Sequence, residues 1–281
     1  MKKISFFADN GPIGDQAFNI CQIHDICEYY GIPGLDLYTY RKFLHNVHGY
    51  IYVKESNPDV FYLWSQCKYI NSINFIDYTN KDCGKQMIEN YDLFIDCPDD
   101  EIISDTHKIS DYLSLIPMAE SQYIGRKVAI FQPVSVLHRP GEMFKDYLVK
   151  WNSSLKALID KNYSIYMIGS ERDFEIVQEY QLVPKKLFPY IENLCGKIKM
   201  IDAIRLLLYR ADFVLGCDSW AVAYGIANRI PTAVSWGPKI EAGGREGKLP
   251  FYLGNKDIYL NRWASHGDAD ELFADWIMTS H

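Results

Sequence analysis

The chain has 281 residues, room for one large or two compact domains. Hydrophobic residues make up 48% and charged residues 23%, the balance of a globular protein with a real core, which excludes a disordered or low-complexity chain. A net charge of −7 argues against a broadly basic nucleic-acid-binding surface and leaves only a local basic cleft open.

The opening segment "KISFFAD" (2–8) predicts a buried first strand. It gives way to Asp9 and Gly11 before any apolar core long enough for a signal peptide, and no run approaches the ~20 apolar residues of a membrane span. The seven cysteines stand at 21, 27, 67, 83, 97, 195 and 217 without a C-x-x-C pair. A cytoplasmic protein with reduced, mostly structural thiols is expected. Ala17, Ile20, Ile23, Ile26, Cys27 and Tyr30 then recur at helical spacing up to Gly31, a C-terminal stop. The runs "DVFYLW" (59–64) and "YDLFIDC" (91–97) predict strands, and helical patterns lie near 80–90 and 105–116. The stretch 40–80 shows no clear period.

Pro117 and Gly125 bracket a linker, and the pattern restarts with a strand at 127–132. A helix (141–161), a strand (163–169), a helix (171–180), the short strand "IENLCG", a helix (200–211) and the strand "DFVLGC" follow. The helix "SWAVAYGIAN", the strand "PTAVSWG" and a final helix capped by Asp268 complete the series. This βαβ alternation implies a parallel sheet covered on both faces. Two Rossmann-like domains, residues 1–122 and 123–281, are expected to face each other across a cleft, with the last helix free to pack back on the first domain. In such sheets ligands bind beyond the carboxyl ends of the strands.

Four strand-end loops carry candidate chemistry. In "DNGPIGDQAF" (9–18), Asp15 is either a first-turn acid favoured by the helix dipole or a general base. In "QPVSVLHRPG" (132–141), Ser135, His138 and Arg139 suit phosphate oxygens, or form an ordinary polar loop. In "MIGSERD" (167–173), Gly169 and Ser170 permit close approach of a ligand, or form a capping turn. Asp218-Ser219 opens a helix whose free N–H groups suit an anion, or simply caps it. His45-x-x-His48 lacks acidic or thiol partners nearby, and Asp268-x-Asp270 sits where caps belong, so no metal site is expected. Walker A, G-x-S-x-G and H-E-x-x-H motifs are absent.

The stretch "NLCGKIKMIDAIRLLLYRADFVLGCDSWAVAYGIANRIPTAVSWGP" resembles the heptosyltransferase-like (family 9-like) glycosyltransferases, an inverting GT-B family. The shared features are a Gly-Lys turn, a helix ending in Ala-Asp, a strand, Asp-Ser, an alanine-rich helix, and a strand closed by Gly-Pro. "GPIGDQAF" is similar to the family's N-terminal Gly-Asp loop. The chain departs at His138 (a Lys in the family's usual Lys-Arg pair), Trp220 (usually Gly) and Tyr224 (usually His). The resemblance implies a GT-B-like α/β fold and transfer of a sugar from a nucleotide-sugar donor to a hydroxyl acceptor, without metal or other cofactor. It implies that Asp15 is the base. The donor's base would lie over the turn that holds Lys197 and Met200, and its diphosphate near Ser135, His138, Arg139, Asp218, Ser219 and Trp220. A glycan is the expected acceptor, with a hydroxylated DNA base the less favoured choice on charge grounds. Polysaccharide pyruvyltransferases and a non-catalytic nucleotide-sugar-binding module remain as alternatives.

Overall fold

A computed structural model describes residues 2–8, 14–40, 42–47, 50–55, 58–76, 90–96, 108–116, 126–134, 148–236, 259–263 and 267–281. The chain divides into two compact units, Met1–Leu115 and Ile116–His281. The boundary expected at 122/123 lies outside the described residues.

In unit 1 the strands β1 (Ile4–Phe7), β2 (Leu35–Tyr40), β5 (Ile70–Ile76) and β6 (Leu93–Asp96) form a parallel sheet in the order β5-β2-β1-β6. Strand β2 alternates as a covered strand must: Leu35, Leu37 and Thr39 are buried, and Asp36, Tyr38 and Tyr40 half-buried. Helix α1 (Asp15–Tyr30) buries Ala17, Ile20, Cys21, Ile23 and Cys27. It ends on Gly31, whose left-handed φ of 61° only glycine adopts without strain. The unperiodic stretch contains an antiparallel hairpin, β3 (Lys42–Val47) and β4 (Tyr50–Glu55), which forms a sheet of its own.

Two expectations fail in unit 1. "DVFYLW" is not a strand: it lies in helix α2 (Pro58–Ser65), which buries Val60, Leu63 and Trp64. A six-residue apolar run fits either element, and here burial follows the i, i+3, i+4 rule. Within 108–116 only a single 3₁₀ turn forms, Ile109–Asp111, before Leu113 makes a bridge to Cys67. The helix expected near 80–90 falls outside the described residues, apart from a turn at Asn90.

Unit 2 holds six parallel strands: β7 (Lys127–Gln132), β8 (Tyr163–Met167), β9 (Ile191–Asn193), β10 (Phe213–Cys217), β11 (Thr232–Trp236) and β12 (Tyr259–Trp263). Their order is β12-β11-β10-β7-β8-β9. Helices α3 (Ser153–Asp160), α4 (Glu171–Glu179), α5 (Met200–Arg210), α6 (Trp220–Ala227) and α7 (Ala269–Ser280) alternate with them. On one face Phe131, Phe213, Leu215 and Ala233 pack with residues of α3, α4 and α7, where Phe273 stacks on Trp151 at 6.2 Å. Helix α6 covers the other face: a side chain on Gly225 would come within 2.9 Å of Val214 and 2.7 Å of Thr232.

The final helix therefore buries its apolar side within unit 2. Its two acids do not act as the sequence suggests. Asp268 makes no cap bond and instead accepts from Arg262 Nε at 2.7 Å. Asp270 caps a different helix. Its carboxylate accepts from the backbone N–H groups of Asn152 (2.9 Å), Ser153 (2.6 Å) and Ser154 (2.9 Å), and from the Ser154 hydroxyl (2.6 Å). Helix α3 consequently starts at Ser153, and residues 148–152 are not helical. Among the described residues no helix is long and apolar enough to cross a membrane.

Candidate functional site

Strand order in unit 2 reverses between β7 and β10, the topological switch point at which sheets of this kind open a ligand crevice beyond the carboxyl ends. The loops singled out in the sequence leave four adjacent strands. Residues 197–200 follow β9, 169–170 follow β8, 135–139 follow β7 and 218–220 follow β10. At ~4.8 Å per strand spacing these ends span roughly 14 Å. Ser135, His138 and Arg139 themselves lie outside the described residues.

The loop after β8 is accounted for by the fold. Gly169 has φ 146°, and a Cβ there would sit 3.0 Å from Asp173 Oδ2. Ser170 is the N-cap of α4: its Oγ accepts from the Asp173 N–H at 3.2 Å, and Asp173 Oδ2 accepts from the Ser170 N–H at 2.7 Å. This reciprocal pairing is a capping box. The Gly196 N–H donates to the Gly169 carbonyl at 3.0 Å and ties the β9 turn to the same loop. In that turn the Lys197 N–H donates to the Leu194 carbonyl at 3.0 Å, the Lys197 side chain is exposed, and Met200 opens α5 half-buried.

The loop after β10 differs. Asp218 donates its backbone N–H to the Ser235 carbonyl at 3.1 Å, which fixes the start of the turn. Ser219 occupies the N-cap of α6 with extended backbone (φ −157°, ψ 172°), yet its side chain makes no capping bond. Its Oγ is buried without a hydrogen-bond partner. A buried polar atom left unpaired costs about 1–3 kcal/mol, so this one needs an explanation. Trp220 begins α6, half-buried, with its ring edge-on to the fully buried Tyr224 at 6.2 Å.

Sequence reasoning missed Gln132. It ends β7, is 4% exposed, and its Oε1 is also buried without a partner. Its backbone carbonyl accepts from Cys217 Sγ at 3.4 Å. The signal was an amide closing an otherwise apolar strand, "KVAIFQ", just before Pro133. Register pairs Gln132 with Gly216, and a side chain on Gly216 would strike the Gln132 carbonyl, so only glycine lets β10 approach β7 here. Ser235 Oγ is a third buried atom without a partner, but it shares the row of Cys217 and so lies on the opposite face of the sheet.

In unit 1 Asp15 is the first residue of α1, with Gly14 at the N-cap, so it stands one position inside the helix. The Asp15 side chain and residues 9–13 lie outside the described residues. The five described cysteines are free and buried, and burial raises the thiols of four of them: Cys21, Cys67 (to about 11), and Cys27 and Cys195 (to about 12). These are structural thiols, not activated nucleophiles.

No family model matches the chain, and no curated protein matches it in sequence. Solved structures do. The chain is similar to a family 9 glycosyl transferase from Veillonella parvula, with TM-score 0.57 and 12% identity over 93% of this chain and 86% of that one. It is similar to E. coli heptosyltransferase WaaC with ADP, with TM-score 0.55 and 13% identity over 98% of this chain and 97% of that one. A third match is the E. coli ADP-heptose heptosyltransferase II, with TM-score 0.51 and 13% identity over 94% and 90% of the two chains. The likeness fixes the fold as α/β and GT-B-like, as the resemblance implied.

Proposed function

We propose that the chain is a glycosyltransferase that moves a sugar from a nucleotide-sugar donor to a hydroxyl acceptor, by an inverting route without a resident metal. The observation that carries this reading is Ser219: a buried hydroxyl without a partner, at the start of an uncapped helix, beside a topological switch point. Such a helix start supplies N–H donors and a positive dipole end to an anion. The leaving group of a nucleotide sugar is a diphosphate, and one structural neighbour was solved with ADP. Four strand ends over roughly 14 Å match the length of a nucleoside diphosphate, its base over Lys197 and Met200 and its phosphates toward Ser219.

In this reading Asp15 takes the proton of the acceptor hydroxyl, the oxygen bonds to the anomeric carbon from the far side, and the bond to phosphate breaks. The diphosphate leaves with both electrons of that bond, and Ser219, the first N–H groups of α6 at Trp220 and the loop of Ser135, His138 and Arg139 receive it, while Asp218 orients the turn. A glycan is the proposed acceptor.

A thermal-shift screen of nucleotide sugars and nucleoside diphosphates tests the donor. A ligand at 100 times its dissociation constant should add about 2.7 kcal/mol of stability. Absence of a shift across the panel would remove the donor reading. Transfer or hydrolysis of the bound donor separates an enzyme from a binding module, and unchanged turnover in a chelator tests metal independence.

A further inference from the structure

Gln132 has no place in that reading, yet the register puts it on the face that α6 covers, at the end of the strand beside β10. Its row runs through Gly216 to Val234, on the face that α6 covers. Because Gly216 carries no side chain, nothing from β10 in that row lies between the Gln132 amide and the start of α6. Two buried polar groups without partners, Gln132 Oε1 and Ser219 Oγ, therefore flank the switch point from adjacent strands.

We propose that the Gln132 amide is a binding residue for the donor's diphosphate, donating an N–H to a phosphate oxygen that Ser219 and the first N–H groups of α6 also hold. The inference rests on the donor reading given above. A half-turn of the amide exchanges its oxygen for its nitrogen, so either end can meet a ligand. The surroundings select the nitrogen. The first N–H groups of α6 are donors in a positive field, so an anion that meets them must bring acceptors. A phosphate oxygen does this. A sugar hydroxyl would use the amide oxygen instead.

The test is calorimetric titration of the full chain with ADP and UDP, alongside the melting temperature without ligand. Gln132→Met keeps the length and removes the hydrogen bonds. It should weaken diphosphate binding about tenfold or more, the range of a hydrogen bond to a charged group. Its ligand-free melting temperature should equal or exceed that of the parent, because an unpaired buried group has been replaced by an apolar one. Gln132→Glu should bind at least as poorly as Gln132→Met, since a carboxylate repels the phosphate. Parent-like or tighter binding by Gln132→Glu would overturn the proposal in favour of a hydroxyl contact. So would a Gln132→Met variant that binds normally while Ser219→Ala does not, and the donor reading would then stand. A Gln132→Met variant that melts well below the parent and binds normally when folded makes Gln132 structural and also overturns it. If the parent binds neither ADP nor UDP, nor GDP or CDP, the donor reading itself fails and the inference with it.

Discussion

The sheet of unit 1 and the first four strands of unit 2 share one order: third, second, first, fourth. The polar side chains beside the two sheets contrast at particular places. In unit 1 Asp36 accepts from Ser72 Oγ at 2.6 Å and from Tyr91 OH at 2.9 Å, and Tyr91 and Tyr38 share a hydrogen bond of 2.9 Å. Asn74 adds a bond to Ser72 Oγ at 2.8 Å, and Asp92 accepts from the Lys3 N–H at 2.7 Å. Burial and the neighbouring Tyr38 and Asp36 hold the Tyr91 phenol well above its ordinary range, protonated and able to donate. In unit 2 Gln132 Oε1 and Ser219 Oγ, at the carboxyl ends of the strands, have no partner. The contrast supplies a criterion. A buried polar group whose bonds are complete belongs to the fold, whereas one left open at a switch point is kept for something that binds.

The strongest way to sharpen the contrast is Asp15. If it is the base, Asp15→Asn should lower turnover by roughly 10²–10⁴-fold with an unchanged melting temperature and little change in donor binding. Near-normal turnover would leave Asp15 as a first-turn acid and nothing more. The next effect concerns a group that is complete. Asp270→Ala removes the cap of α3 and leaves the backbone N–H groups of Asn152, Ser153 and Ser154 without their acceptor, so unit 2 should lose about 2–4 kcal/mol of stability. Asp270→Asn should recover part of it, and chemical denaturation measures both.

A pair of serines makes the criterion itself breakable. Ser170→Ala breaks a capping box and should cost about 1 kcal/mol of stability, with diphosphate affinity intact. Ser219→Ala should leave ligand-free stability equal to or above the parent's and weaken diphosphate binding several-fold. The reverse pattern would show that open hydrogen bonds do not mark the site. The smallest effect belongs to Tyr91→Phe, which removes one hydroxyl from a satisfied network. It should cost about 1 kcal/mol in denaturation experiments and leave nucleotide binding untouched.

Much of unit 2 was readable because its strands, such as Phe213–Cys217, are buried along their whole length and alternate with amphipathic helices. Unit 1 was harder. Its six-residue run 59–64 satisfies strand and helix equally, and the Lys42–Glu55 hairpin carries no strong alternation. At the site the sequence pointed to strand ends correctly but could not rank them. Ser170 and Ser219 look alike on paper, each a serine after a strand and before a helix. What separates them is the third residue on: Asp173 reaches back to complete the first as a capping box, whereas Val222 stands at that place after Ser219, and no described residue reaches its hydroxyl.

By itself the sequence determined the alternation of strands and helices in the second half, the helix α1 with its Gly31 stop, and the strand-end positions of Ser219 and Asp15. These follow from periodicity and backbone preference, which act over a few residues. The tertiary structure decided which acids cap which helices: Asp270 serves α3 across more than a hundred residues of chain, and Asp268 serves Arg262. It also decided that Gly216 must carry no side chain, and that Gln132 and Ser219 end beside one crevice. Register and strand order settle those pairings, and both are set by contacts between segments far apart in the chain, where no local pattern can record them.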